Sequence, residues 1–246
     1  MAELAAIVSY LEDLLRHREV SDRYCPSGLQ VEGQSEVRRV GFCVDACMES
    51  FESLGDCQLV IVHHGLFWPS VSRVTGTLRD RLAYLLTRGM SLYASHLPLD
   101  KHVILGNNAQ LLKALGLKPV EEFGEVGWLG EFEAPVARSA LCQRLEGLLK
   151  GPVRLLDFGP EEVLRLGVSS GSGGLELLSQ AALRKADLVL TGETSHPMYH
   201  AAREAGVNVA LGGHYATETW GLRALMPVLE EAFAVETWFV DVPTGF

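Results

Sequence analysis

Twice along this 246-residue chain, short apolar runs of strand length alternate with segments whose apolar residues recur at helical spacing. In the first half, 39–44, 59–62 and 91–94 read as strands, separated by helices at 48–54 and 80–87. In the second half, 163–168, 188–191, 207–211 and 235–240 read as strands, with helices at 175–185, 196–205 and 219–233 between them. Parallel strands need a crossover long enough to hold a helix. The alternation therefore predicts an α/β fold with mostly parallel sheets and helices on their faces. The two halves look alike, which predicts two similar α/β lobes, 1–125 and 126–246. The boundary falls near 120–135, beside a strand at 126–134 and a helix at 137–149 that stops at Gly151-Pro152. A further amphipathic helix at 2–17 places Leu4, Ile7, Leu11, Leu14 and Leu15 at helical spacing.

At 48% hydrophobic residues the chain can bury one large core or two modest ones. Its longest apolar stretches are of strand length, and no basic start leads into a cleavage-site pattern, so a cytoplasmic protein without a membrane partner is expected. Five cysteines, an odd number without a C-x-x-C pair, predict free buried thiols in place of a disulfide framework or zinc ribbon. A net charge of −10 makes nucleic acid an improbable partner, because a phosphate backbone is repelled at long range.

In open parallel sheets, ligands gather beyond the carboxyl ends of the strands. Three groups of donor residues fall there: His63-His64 after 59–62, Asp100 in SHLPLD after 91–94, and His214 with Glu218 in GHYATE after 207–211. Three imidazoles and two carboxylates suit a borderline divalent ion such as Zn, Fe, Mn or Ni. Five side chains exceed what one catalytic zinc takes from protein, so two metal ions per chain fit better. His214 and Glu218, four apart, share a face if a helix begins by Tyr215.

Two further residues are candidates for catalysis. His96 lies four before Asp100, but Pro98 between them argues for a loop. It is either a ligand or a group that orients ligands or moves protons. Glu193 in TGE either belongs to the site or caps the helix near Ser195-His196. His196 and His200, also four apart, need no metal to explain them. The glycine-rich run 169–174 could present backbone N–H groups to an anion, although an ordinary turn explains it as well.

Longer strings can be matched together: SDRYCPSGLQVEG (21–33), VIVHHGLFW (60–68), SHLPLDKH followed by GNNAQL (95–111), TGE (191–193) and GGHYATE (212–218). They closely resemble the NIF-three family (NGG-one interacting factor three), whose bacterial members are often labelled GTP cyclohydrolase 1 type 2 homologues. The resemblance implies a NIF-three-like fold, with His63, His64, Asp100, His214 and Glu218 as ligands of a two-metal centre in a cleft between two lobes. It also implies a ring-shaped homohexamer and a small-molecule substrate such as a nucleotide. In that reading a hydroxide held by the metals attacks C8 of the guanine ring of GTP, with His96 or Glu193 shuttling protons. A two-metal phosphoesterase or amidohydrolase, or a metal-binding scaffold without turnover, are the alternatives.

Overall fold

A computed structural model describes residues 1–69 and 71–246. In chain order the elements among these residues are β1 (Ala2–Glu3), α1 (Leu4–Leu14), β2 (Gly28–Val31), β3 (Glu36–Val37), β4 (Arg39–Asp45), α2 (Met48–Ser53), β5 (Leu59–His64), α3 (Gly76–Arg88), β6 (Ser91–Ala94), α4 (Leu97–Lys101) and α5 (Asn107–Ala114). They continue with β7 (Glu121–Phe123), β8 (Gly127–Ala137), α6 (Arg138–Leu149), β9 (Arg154–Asp157), β10 (Glu162–Ser172), α7 (Glu176–Arg184), β11 (Leu188–Glu193), α8 (Met198–Ala205), β12 (Asn208–Leu211), α9 (His214–Phe233) and β13 (Glu236–Phe239). No helix among the described residues is long and apolar enough to cross a membrane.

Packing divides the chain into Met1–Leu99 with Gly221–Val242, and Asp100–Trp220 with Pro243–Phe246. This differs from the expected lobes 1–125 and 126–246 at both ends, for a physical reason. Strand β13 finds its partner in β4, pairing Glu236 with Arg39 through to Phe239 with Phe42, so the last strand returns to the first unit. Helix α5 buries Leu111 and Leu112 in a cluster with Leu166 and Leu188 of the second sheet, so its residues belong with the second unit.

The first unit carries a five-stranded sheet in the order β13-β4-β5-β6-β2, in which β2 runs antiparallel to β6 and the other pairs are parallel. The second carries six strands in the order β7-β8-β10-β11-β12-β9. Its centre, β10-β11-β12, is parallel, and antiparallel strands flank it on both sides. The class is thus α/β with parallel strands at the heart of each sheet.

Why the central strands read as continuous apolar runs is visible in the second unit. Successive side chains on a strand point to opposite faces. Leu188, Leu190 and Ala210 pack on one face with Leu141 and Leu145 of α6, while Val189 and Val209 pack on the other with Leu178 of α7 and Ala202 of α8. Both faces are covered, so alternation with polar residues is lost. All five cysteines are free, and Cys25, Cys43 and Cys57 are buried. Burial pushes the Cys43 thiol up to about 12, which suits a packing residue better than a nucleophile.

Candidate metal centre

The first unit assembles its donors from the carboxyl ends of three adjacent parallel strands. In the ladder Asp45 of β4 stands opposite His64 of β5, and Val62 opposite Ala94 of β6. The register therefore sets Asp45, the His63-His64 pair and the Ser95-His96 step in a row, although they lie far apart along the chain. His63 and His64 are the last two residues of β5, with ring centroids 4.8 Å apart. The His96 ring lies 5.0 Å from His63 and 5.6 Å from His64. One ring nitrogen from each of the three falls within 4.8 Å of the others, a group able to hold a metal ion. His96 lies in the bend before α4, outside the helix as its spacing from Pro98 suggested. Pro98 itself occupies the first turn of α4, where a missing N–H costs nothing, and Asp100 falls in that helix.

Each imidazole in this row is held through Nδ1 by an oxygen that can only accept. His63 donates to the Ser95 carbonyl at 3.0 Å, His64 to Asp45 Oδ1 at 2.8 Å, and His96 to Asp22 Oδ2 at 2.9 Å. An acceptor at Nδ1 selects the tautomer whose lone pair is on Nε2, the arrangement that metal-binding histidines use. Asp22 is itself fixed, because Oδ2 also accepts from the Leu97 N–H and Oδ1 from the N–H groups of Tyr24 and Cys25. Burial alone would raise the Asp22 pKa, but the His96 and backbone hydrogen bonds overcome it and hold it at about 2.

In the second unit the same edge of the sheet is used. Glu193 ends β11, Ser170 and Gly171 lie near the end of β10, and His214 opens α9 three residues after β12 ends. The helix starts five residues earlier than the spacing predicted, so His214 and Glu218 do share one face, with Nε2 and Oε2 3.1 Å apart. His214 Nδ1 meets Glu193 Oε1 at 2.9 Å. Burial lowers the His214 pKa, yet Glu218 and Glu193 together outweigh it and raise the group to about 9. A proton thus sits where a divalent ion could bind between imidazole and carboxylate.

Asp100 lies buried in α4, and its Oδ1 accepts from Asn107 Nδ2 at 2.8 Å and Ser170 Oγ at 2.9 Å. Asn108 ties the same corner together, donating to the Asp100 and Val126 carbonyls and accepting from the Ser170 N–H. Gly171 adopts φ +67°, and a Cβ there would stand 2.1 Å from Glu218 Oε1 and 3.3 Å from His214 Nε2. Only glycine leaves room for that carboxylate.

The donor chemistry fits divalent metal. Four imidazoles carry an oxygen acceptor on Nδ1, two buried carboxylates are available, and a glycine cradles one of them. Asp22, Asp45, Asn107, Asn108 and Ser170 were not identified as site residues from sequence. Asp22 lies in the matched string SDRYCPSGLQVEG, and Asn107 and Asn108 in GNNAQL, but nothing in their spacing points to a His or Asp partner. The run 169–174 does not cradle an anion through its N–H groups. Those of Ser170, Gly171 and Gly173 are taken by Asn108, Thr217 and the Glu193 carbonyl. His196 and His200 join no cluster of three or more donors among the described residues.

Comparison with known proteins agrees with this geometry. The family model Duf34/NIF3 (NGG1p interacting factor 3) matches residues 2–245. The chain is 45% identical over 251 residues to a protein from Pyrococcus abyssi named GTP cyclohydrolase 1 type 2 homolog, covering 99% of each. It is 40% identical over 249 residues to a protein of that name from Archaeoglobus fulgidus, covering 98% of this chain and 99% of the relative. Among solved structures, TTHA1606 from Thermus thermophilus superposes with a TM-score of 0.91 at 36% identity, covering 100% of both chains. Protein ybgI, described as of unknown function, gives 0.93 at 36% identity and 99% coverage of each. Sequence strings, fold and full-length relatives converge, and the chain belongs to the Duf34/NIF3 family.

Proposed function

We propose that this protein is a divalent-metal-dependent hydrolase, with His63, His64, Asp100, His214 and Glu218 as ligands of two metal ions per chain. The observation that supports it is the shared state of the imidazoles: His63, His64 and His214 each meet an oxygen acceptor at Nδ1 within 3.0 Å. A packing histidine needs no such uniformity. Two divalent ions, when bound, activate water and polarise a carbonyl, imine or phosphoryl oxygen.

The chain's own residues do the rest. Asp45 and Glu193 fix the tautomer and direction of His64 and His214 and raise their basicity. His96, held by Asp22 beside the His63-His64 pair, is placed to move a proton at Nε2. Asn107 and Ser170 hold one oxygen of Asp100, which directs the other toward a ligand role. Relatives named GTP cyclohydrolase 1 type 2 homolog make GTP, or another nucleotide, the first substrate class to try. A ring-shaped homohexamer belongs to the same reading.

The test is metal analysis of protein purified without added metal, followed by a hydrolysis screen with Zn, Mn, Fe and Ni over nucleotides, phosphoesters and amides. About two ions per chain and a hydrolysis lost in His64→Ala are expected. Absence of bound metal, or turnover unchanged in that variant, would remove the proposal. Full metal occupancy with no turnover on any substrate would leave a binding scaffold. Light scattering decides the ring.

A further inference from the structure

A cavity of about 300 Å³ opens at the carboxyl end of the second unit's parallel strands, lined by Arg154, Thr194, Ser195, His196 and Tyr199 over an apolar wall of Leu156 and Leu211. Its place follows from the topology. Thr194, Ser195 and His196 continue the chain directly from Glu193, while Arg154 stands opposite Leu211 in the β9-β12 ladder. The volume lies at the small end of ligand pockets, roughly 300–1,000 Å³.

The charge of the lining is the informative part. The chain holds 31 acidic against 21 basic residues, yet among the described residues no carboxylate lines this cavity. Glu193, the nearest in sequence, is turned to His214 Nδ1. Three other cations are engaged elsewhere: Lys101 with Glu122, Arg79 with Asp80, and Arg88 over the Tyr84 ring. Among the described residues, no carboxylate lies within ion-pair distance of Arg154. Thr194 spends its hydroxyl proton on the Gly173 carbonyl at 2.6 Å, which leaves the Ser195 hydroxyl and the His196 imidazole as donors beside the arginine, and guanidinium geometry matches phosphate oxygens in pairs.

We propose that this cavity binds a phosphate group of an organic phosphate, with Arg154 as counter-charge, Ser195 and His196 as hydrogen-bonding groups, and Tyr199 packing against the organic part. Because Glu193 runs straight into the lining, the cavity deepens the hydrolase reading and rests on it for its role: it is where the phosphate arm of the substrate is recognised. The recognition missing from the ligand residues themselves is then supplied by the acid-free end of one sheet. The alternative for Arg154 is an edge-strand charge that discourages pairing with another sheet.

Calorimetric titration of the full chain with inorganic pyrophosphate and with GTP, in metal-loaded and metal-stripped forms, separates these. Pyrophosphate should bind the stripped protein, and Arg154→Ala and His196→Ala should each weaken it by about tenfold, the effect of one lost charge-assisted contact. GTP on the loaded protein should weaken by the same factor in Arg154→Ala, with metal content and thermal midpoint unchanged. Pyrophosphate binding that needs metal, or that stays within twofold in both variants, would overturn the proposal while leaving the metal reading intact. Arg154-dependent pyrophosphate binding by a protein that takes up no Zn, Mn, Fe or Ni when these are supplied would do the reverse, upholding the cavity and ending the hydrolase reading.

Discussion

The two units hold their candidate metal donors in different ways. In the first, three imidazoles stand in a row, each with one acceptor at Nδ1, supplied by a strand end or by Asp22. In the second, the candidate ligands are mainly carboxylates, buried at Asp100 and Glu218, and a buried polar group must be met by hydrogen-bond partners. Asn107 and Ser170 donate to the Asp100 carboxylate, Asn108 to its backbone carbonyl, Thr217 accepts from the Gly171 N–H, and Gly171 gives Glu218 its space. The difference leads to an expectation: donor residues and stability should be separable in the first unit and entangled in the second.

The largest expected effect tests whether both units contribute ligands. His64→Ala and His214→Ala, one from each, should both lower metal content by more than about tenfold. A normal metal load in either variant, read by elemental analysis, would confine the centre to one unit. Next come the residues that orient the imidazoles. Asp45→Asn and Glu193→Gln should each weaken metal affinity by about 10–100-fold, while their thermal midpoints change little.

Stability should then separate the halves. Asp100→Ala leaves the Asn107 and Ser170 donors without their acceptor and should cost about 2–4 kcal/mol in denaturant unfolding, whereas His64→Ala should cost under about 1 kcal/mol. Equal costs would erase the contrast. The burial of Asp100 in α4 is the reason for the larger figure.

The smallest effect concerns His17, which stacks on Tyr93 and bonds Ser95 Oγ at 3.1 Å behind the first row. Burial lowers its pKa to about 4, with Asp22 opposing the shift. The folded state therefore binds this proton less readily than the unfolded chain does. Its contribution is complete above about pH 6.5 and is lost as pH falls from there toward 4. Partial exposure and screening reduce it to about 1 kcal/mol. His17→Gln should flatten that part of the stability profile; an unchanged slope would show that another group titrates there.

Much of this was legible in the residues because the signals are local. Strand-length apolar runs such as 59–62 and 188–191 report burial on both faces, and helical spacing at Leu4, Ile7 and Leu11 reports one buried stripe. Donors placed just past those runs marked His63, His64, Asp100, His214 and Glu218 before any packing was known. The partners of those donors were beyond reach. Asp22 meets His96 across 74 residues, and Ser170 meets Asp100 across 70. No periodicity spans such distances; only strand register and helix docking create the pairings. The sequence alone determined which residue types could bind metal and which stretches form the central strands and the helices between them, since both depend on side chains within a few turns of one another. The tertiary structure decided which tautomer each histidine holds, that β13 returns to β4, and that Arg154 faces a cavity free of acid, because each depends on groups brought together from distant parts of the chain.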